Sequence, residues 1–187
     1  IHVLDKARVI VEVEQVVITC PETHIEETRR LVSNHGFDAR FSCILGGDSR
    51  QESVRLGLVA LESCDSVIIH EAVRPLVTVD EFRALIDADD RNAMFGIPIP
   101  FTVLKGHEYV EDLLERDELV NVQLPQKFDR GALVAAHDAA RRDGARFTED
   151  ASLFHRYAGE RVRILPGSDR NIKITVPTDI VTAEAIY

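Results

Sequence analysis

Three short polar clusters in this 187-residue sequence carry residue types suited to a phosphorylated ligand. The first is Gly46-Gly47-Asp48-Ser49-Arg50, running on to Ser53. Two adjacent glycines between an apolar run and a helical pattern expose backbone N–H groups where phosphate or ribose oxygens are accepted. An ordinary strand-to-helix turn uses the same residues, and the segment is neither GxxxxGK[ST] nor GxGxxG. The second cluster is His70-Glu71-Ala72-Val73-Arg74. Its carboxylate can bind a divalent cation or a hydroxyl, and its guanidinium a phosphate, while a surface ion pair is the plainer alternative. Taken alone, His70 fits a satisfied structural histidine better than a catalyst. The third cluster, Asn171-Ile172-Lys173, sets a lysine between two isoleucines, so period-2 alternation sends it away from them, toward solvent or toward a ligand. A further acidic group, Thr148-Glu149-Asp150, stands at a helix start, where the helix dipole accounts for it.

The elements that must position these groups alternate along the chain. Apolar runs at Gln15–Cys20, Arg40–Leu45 and Val67–His70 read as strands, as do Arg161–Leu165 and Asn171–Thr175, and between these groups lie the apolar Ala93–Pro100 and the segment Leu119–Phe128. Between them lie helical patterns. One is capped by Thr23 and ended by Gly36; a second, over residues 49–63, puts Val54, Leu58 and Leu61 on one face. A third is opened by the capping box Thr78-x-x-Glu81. An alanine-rich helix follows over residues 129–142, another opens at Thr148, and a closing helix is capped by Thr178. Such alternation predicts an α/β fold with a mainly parallel sheet and helices on both faces. Ligands of such sheets bind beyond the carboxyl ends of the strands, where all three clusters fall. Residues 101–122 fit the alternation poorly and read as an arm leaving a single domain that spans 1–187.

Composition narrows the partners. A formal net charge of −10 argues against nonspecific nucleic-acid binding yet leaves room for a local cationic site. Cys20, Cys43 and Cys64 fit neither a disulfide framework nor a zinc site, and free thiols, with Cys20 and Cys43 buried in strand-like runs, imply a cytoplasmic location. No apolar run is long enough to span a membrane, and no signal peptide is visible.

Taken in order, "GGDSRQESVRLGL", "IIHEAVRP", "QLPQKF", "FTEDASLF" and "GSDRNIKITVPTDIVTAEAIY" resemble the 2-C-methyl-D-erythritol 4-phosphate cytidylyltransferases and the related ribitol-5-phosphate cytidylyltransferases. The resemblance implies a Rossmann-like nucleotidyltransferase fold and a homodimer exchanging a projecting arm. It also implies a Mg²⁺-dependent reaction of CTP with a polyol phosphate to give a CDP-polyol and pyrophosphate. On it, Gly46, Gly47, Asp48, Ser53, Glu71 and Ala72 contact the nucleotide; Lys173, Arg74 and Glu71 are catalytic; Thr102, Arg116, Arg74 and Lys173 bind the acceptor; and Glu71 is the candidate metal ligand. The leading acceptor is 2-C-methyl-D-erythritol 4-phosphate. The alternatives are D-ribitol 5-phosphate or another phosphate or phosphonate, and, from a different class, an inactive nucleotide-binding or dimerisation module.

Three departures from the family pattern stand out. The family's Gly-rich N-terminal loop, with its arginine and lysine for the triphosphate, has no counterpart in "IHVLDKARV". A segment lying outside this sequence is favoured over a relative that has lost activity, because the other motifs are intact. Glu71 replaces the usual aspartate, and the added methylene displaces the carboxylate by roughly 1 Å, enough to cost ~10²-fold in rate. Phe101 precedes Thr102 where an acidic residue is common, and "AVRP" leans toward the ribitol-phosphate branch.

Overall fold

The computed structural model describes residues 1–62 and 64–187. In chain order its elements are α1 (His2–Arg8), β1 (Val16–Cys20), α2 (Ile25–Asn34), β2 (Phe41–Leu45), α3 (Arg50–Ala60), β3 (Ser66–Ile69), α4 (Val79–Ile86) and β4 (Ala93–Pro98). There follow β5 (Val103–Gly106), β6 (Val110–Leu114), β7 (Val120–Asp129), α5 (Arg130–Arg142), α6 (Asp150–Ala158), β8 (Arg163–Pro166) and α7 (Pro177–Ile186).

β1 and β2 pair in parallel. The larger sheet has the order β3-β7-β4-β8, with β7 antiparallel to both neighbours and β4 parallel to β8. β3, β4 and β8 therefore run one way and deliver their carboxyl ends to the same edge, as the α/β alternation requires. Only β7 is reversed, because its chain returns from the β5–β6 hairpin, the projecting excursion of residues 101–122. A bulge between Met94 and Phe95 skips Leu124 and Pro125 of β7. Pro125, which has no N–H to donate, sits where the ladder is already interrupted, and Leu124–Pro125 is cis.

The main core lies on one face of the larger sheet, under α3, α5 and α6, while Ile68, Ala93 and Phe95 pack with Leu85 of α4 on the other face. Leu58 of α3, Val67, Met94 and Phe128 of the strands, Leu133 of α5, and Ala151 and Phe154 of α6 form one buried cluster. Phe128 and Phe154 meet at 5.1 Å between ring centroids. Val54 and Leu61 pack against this cluster, so the expected apolar face of α3 is real. The helix itself stops at Ala60, with Leu61 extended, and Ser63 lies outside the described residues.

Several local expectations are corrected. Asn171–Thr175 is not a strand: the segment runs irregularly, and Ile174 N donates to Val73 O. Thr23 does not cap α2, because a 3-10 turn over Glu22–His24 precedes the helix and Thr23 Oγ1 meets the His24 ring instead. α6 is capped by Glu149, whose carboxylate accepts from Ala151 N and Ser152 N, one residue later than expected at Thr148. α7 begins at Pro177, so Thr178 is inside it; the Asp179 carboxylate accepts from Thr175 N and Val176 N and holds the turn. The Thr78–Glu81 capping box forms as predicted. Cys20 is buried but Cys43 is only half-buried, and Cys20, Cys43 and Cys64 are all free.

Candidate active site

Gly46 and Gly47 follow β2 and lie tight against the first turn of α3. Gly46 N donates to Cys20 O at 2.8 Å, and Gly47 N donates to Ser53 Oγ at 3.1 Å. A Cβ on Gly47 would come within 2.3 Å of Glu52 Cγ, and one on Gly46 within 2.9 Å of Ser53 Oγ. The loop thus has no room for side chains, and Ser53 is the post that fixes its shape. Ser49 caps α3 through Glu52 N at 3.1 Å. Asp48 stays exposed beside this turn, as does Ala72 beyond β3.

Glu71 is the centre of the arrangement. Its Oε1 accepts from Arg50 Nε at 3.0 Å, and its Oε2 lies 3.0 Å from Lys173 Nζ and 3.7 Å from Arg74 Nε. One carboxylate thereby joins all three clusters: the Gly-Gly loop through Arg50, the end of β3 through itself and Arg74, and the segment after β8 through Lys173. Burial pushes the Glu71 carboxyl up, but Lys173 and Arg50 outweigh it and hold the group below the usual carboxylate range. It is therefore ionised at neutral pH.

Arg74 is buried and committed inward. Its Nη1 donates to Asn171 O at 2.8 Å and its Nη2 to Val122 O at 3.4 Å. Burial lowers its pKa, and the opposing pull of Glu71 does not fully restore it. Asn171, itself buried, donates through Nδ2 to Glu81 Oε1 at 3.0 Å and Leu124 O at 2.8 Å. Gln123 clasps the same segment, donating to Ser168 O at 2.7 Å and accepting from Ser168 N at 3.0 Å. Side chains, not a strand ladder, hold the backbone that carries Lys173. Lys173 itself keeps 42% of its side chain exposed, the most accessible cation around Glu71.

His70 is tied into the fold and stays neutral at neutral pH. Its Nε2–H donates to Arg74 O at 3.2 Å, its ring lies edge-on to Phe82 at 5.4 Å, and burial pushes its pKa down to about 4. An unfolded histidine takes up its proton near pH 6.5 but the folded one only near 4. The unfolded chain thus binds more protons between those values, and stability falls as pH drops through that window. The loss is on the order of 3 kcal/mol once pH is below both values. His70→Gln is expected to flatten this slope in thermal unfolding measured from pH 7 to 4; an unaltered slope would assign it to other groups.

The structure does not bring Thr102 and Arg116 to Glu71 within one chain. Both are exposed at the root of the β5–β6 hairpin, where Arg116 pairs with Asp117 at 3.6 Å. Arg116 also borders an open cleft of about 660 Å³ with Pro98, Pro100, Leu119 and Ile164. Two site residues escaped the sequence reading. Arg50 was visible only as part of the Gly-Gly motif, and Asp150, 2.7 Å from Arg50 Nη1, looked like a helix-start residue. Their pairing spans a hundred residues and leaves no local pattern.

Compared with known families, residues 1–187 match the one described as IspD, 2-C-methyl-D-erythritol 4-phosphate cytidylyltransferase. The chain belongs to this family. Among curated relatives, the 2-C-methyl-D-erythritol 4-phosphate cytidylyltransferase of Bacillus pumilus is 34% identical over 189 residues, covering 100% of this chain and 82% of the relative. That of Solibacter usitatus is 37% identical over 190 residues, covering 97% of this chain and 78% of the relative. Among solved structures, the 4-diphosphocytidyl-2C-methyl-D-erythritol synthase of Anaerococcus prevotii superposes with a TM-score of 0.88 at 25% identity, covering 98% of this chain and 83% of that one. The Thermus thermophilus 2-C-methyl-D-erythritol 4-phosphate cytidylyltransferase gives 0.79 at 27% identity over 99% of this chain and 86% of that one. Family membership bears out the Rossmann-like nucleotidyltransferase fold and makes the chain a cytidylyltransferase.

Proposed function

We propose that the protein transfers the cytidylyl group of CTP to 2-C-methyl-D-erythritol 4-phosphate. An acceptor-phosphate oxygen attacks the α-phosphorus of CTP, the bond to the bridging oxygen breaks, and pyrophosphate leaves. The observation that carries this is Glu71 held among Arg50, Arg74 and Lys173 at the edge where β3 and β8 end, beside the Gly-Gly loop. The nucleophile is already anionic, so no general base is required and charge neutralisation with alignment is the chief task. Lys173 is the accessible cation that meets the reacting phosphates. Arg74 fixes its backbone and adds buried positive charge beneath the acceptor. The backbone of Gly46 and Gly47, with Asp48, Ser53 and Ala72, forms the nucleoside side of the site.

Mg²⁺ fits this donor set as an ion held by one carboxylate and by substrate phosphates, the usual magnesium pattern. Glu71 is the carboxylate available, and among the described residues no cluster of three or more His, Cys, Asp or Glu forms a protein cage. The ion would add charge neutralisation at the phosphates. Thr102 and Arg116 reach the acceptor phosphate from the arm of a second subunit. A homodimer also gives cover to Phe101, Leu104, Tyr109, Val110 and Leu113, all exposed on or beside the hairpin. The location that suits free thiols and these soluble substrates is the cytoplasm.

Pyrophosphate release by the full-length gene product, with CTP, Mg²⁺ and a panel of polyol phosphates, tests the reaction. Turnover is expected to be greatest with 2-C-methyl-D-erythritol 4-phosphate. Preference for D-ribitol 5-phosphate would reassign the acceptor, and no turnover with any acceptor would leave a binding or dimerisation module. The same preparation should sediment as a dimer, and a monomer at micromolar concentration would remove the arm-exchange part.

A further inference from the structure

A line of buried charge runs away from Glu71 into the α5–α6 helix pair, and the transfer reaction as described does not call on it. Asp150, the first residue of α6, has a side chain 1% exposed. Its Oδ2 lies 2.7 Å from Arg50 Nη1, and its Oδ1 accepts from His137 Nε2 at 3.1 Å. His137, on α5, is fully buried. Helix capping does not account for the Asp150 carboxylate, because Glu149 already caps α6 with both of its oxygens. A carboxylate is costly to bury and is retained where its partners are fixed and well paired. Here the partner is Arg50, whose guanidinium bridges Asp150 and Glu71.

The two oxygens of Glu71 are thus held differently. Oε1 rests on Arg50, whose fork is locked from behind by Asp150 and His137. Oε2 faces Lys173, the most exposed of the three cations around it. We propose that Asp150 and His137 are positioning residues for cytidylyl transfer. By locking Arg50 onto Glu71 Oε1 they keep the carboxylate aimed without help from Lys173, which is then free to leave Oε2 for a substrate phosphate. With the lock broken, Arg50 swings away, Glu71 drifts and retains Lys173, and the phosphates lose their cation. Neither Asp150 nor His137 needs to touch substrate for this, and the inference rests on the cytidylyltransferase reading of the site.

The test is a double-mutant cycle in the full-length protein. Asp150→Asn is expected to lower kcat by ~10–100-fold, the cost typical of losing a group that orients another, while KM for CTP stays within about threefold. In a Glu71→Gln background, read by single-turnover formation of the CDP product, the same change is expected to cost less than about threefold, because no carboxylate remains to be aimed. A purely structural role would cost the same in both backgrounds. Folded fractions are checked by circular dichroism at the assay temperature. If Asp150→Asn does not fold, His137→Leu, which removes only the donor to Oδ1, takes its place in the cycle, with a smaller loss that must likewise vanish beside Glu71→Gln. Equal losses in both backgrounds, or no loss in the parent, would overturn the positioning role alone. Absence of turnover in the unsubstituted protein would overturn the enzymatic reading and this inference with it.

Discussion

Replacing Lys173 by alanine is expected to lower kcat by ~10²–10³-fold, about 3–4 kcal/mol of transition-state stabilisation. The thermal midpoint should move by no more than about 1 °C. The combination follows from where the lysine sits. Its side chain is 42% exposed, and its one ion pair, to Glu71 Oε2 at 3.0 Å, duplicates support that Glu71 already has from Arg50. Partly exposed pairs of this kind contribute little to stability. A charge aimed at developing negative charge on phosphate in a shielded site is worth far more. Arginine should rescue poorly, because its planar fork cannot substitute for a compact ammonium on a short reach from the Asn171-anchored backbone. Steady-state pyrophosphate release and differential scanning fluorimetry on the same preparations decide the matter. A loss of several degrees with proportionate loss of turnover would make Lys173 a structural residue.

What the sequence discloses of this site depends on whether a signal is local. Strand periodicity, the Gly-Gly break and the Thr78–Glu81 box are local, and the structure realises each of them. Direction along a sheet is not local: the Leu119–Phe128 pattern is the same whichever way the strand runs, and the reversal of β7 comes from the hairpin before it. The Asn171–Thr175 segment imitates a strand because Ile172 and Ile174 alternate with exposed residues, yet its neighbours are the side chains of Gln123 and Arg74 and the backbone of Val73. Alternating exposure needs only an extended chain over a surface, not a ladder. Asp150 misleads for a different reason. An acidic residue at a helix start has a sufficient explanation in the helix dipole, so nothing invites a search for a second role. Only the 2.7 Å approach to Arg50 shows that its carboxylate turns toward the site.

Arg74 should behave in the opposite way to Lys173, although both stand beside the same carboxylate. Arg74→Ala removes the donors to Asn171 O at 2.8 Å and Val122 O at 3.4 Å and takes a buried positive charge from beside Glu71. Asn171 O left with only the longer bond from Gln123, a half-buried Val122 O that loses a donor, and a carboxylate that has lost a partner are together expected to cost about 3–5 kcal/mol. For a chain of this size that lowers the thermal midpoint by roughly 10 °C. Activity should fall with it, by ~10²-fold or more, since the segment released is the one that carries Lys173 and a displacement of about 1 Å is enough. Arg74→Lys should recover little of either, because one ammonium cannot reach the Asn171 and Val122 carbonyls together. Thermal midpoints and turnover measured side by side separate the possibilities. If Arg74→Ala kept its midpoint and lost only turnover, the guanidinium would be a ligand-facing group like Lys173, and the clasp on Asn171 would have to be carried by Gln123, Glu81 and the Leu124 carbonyl.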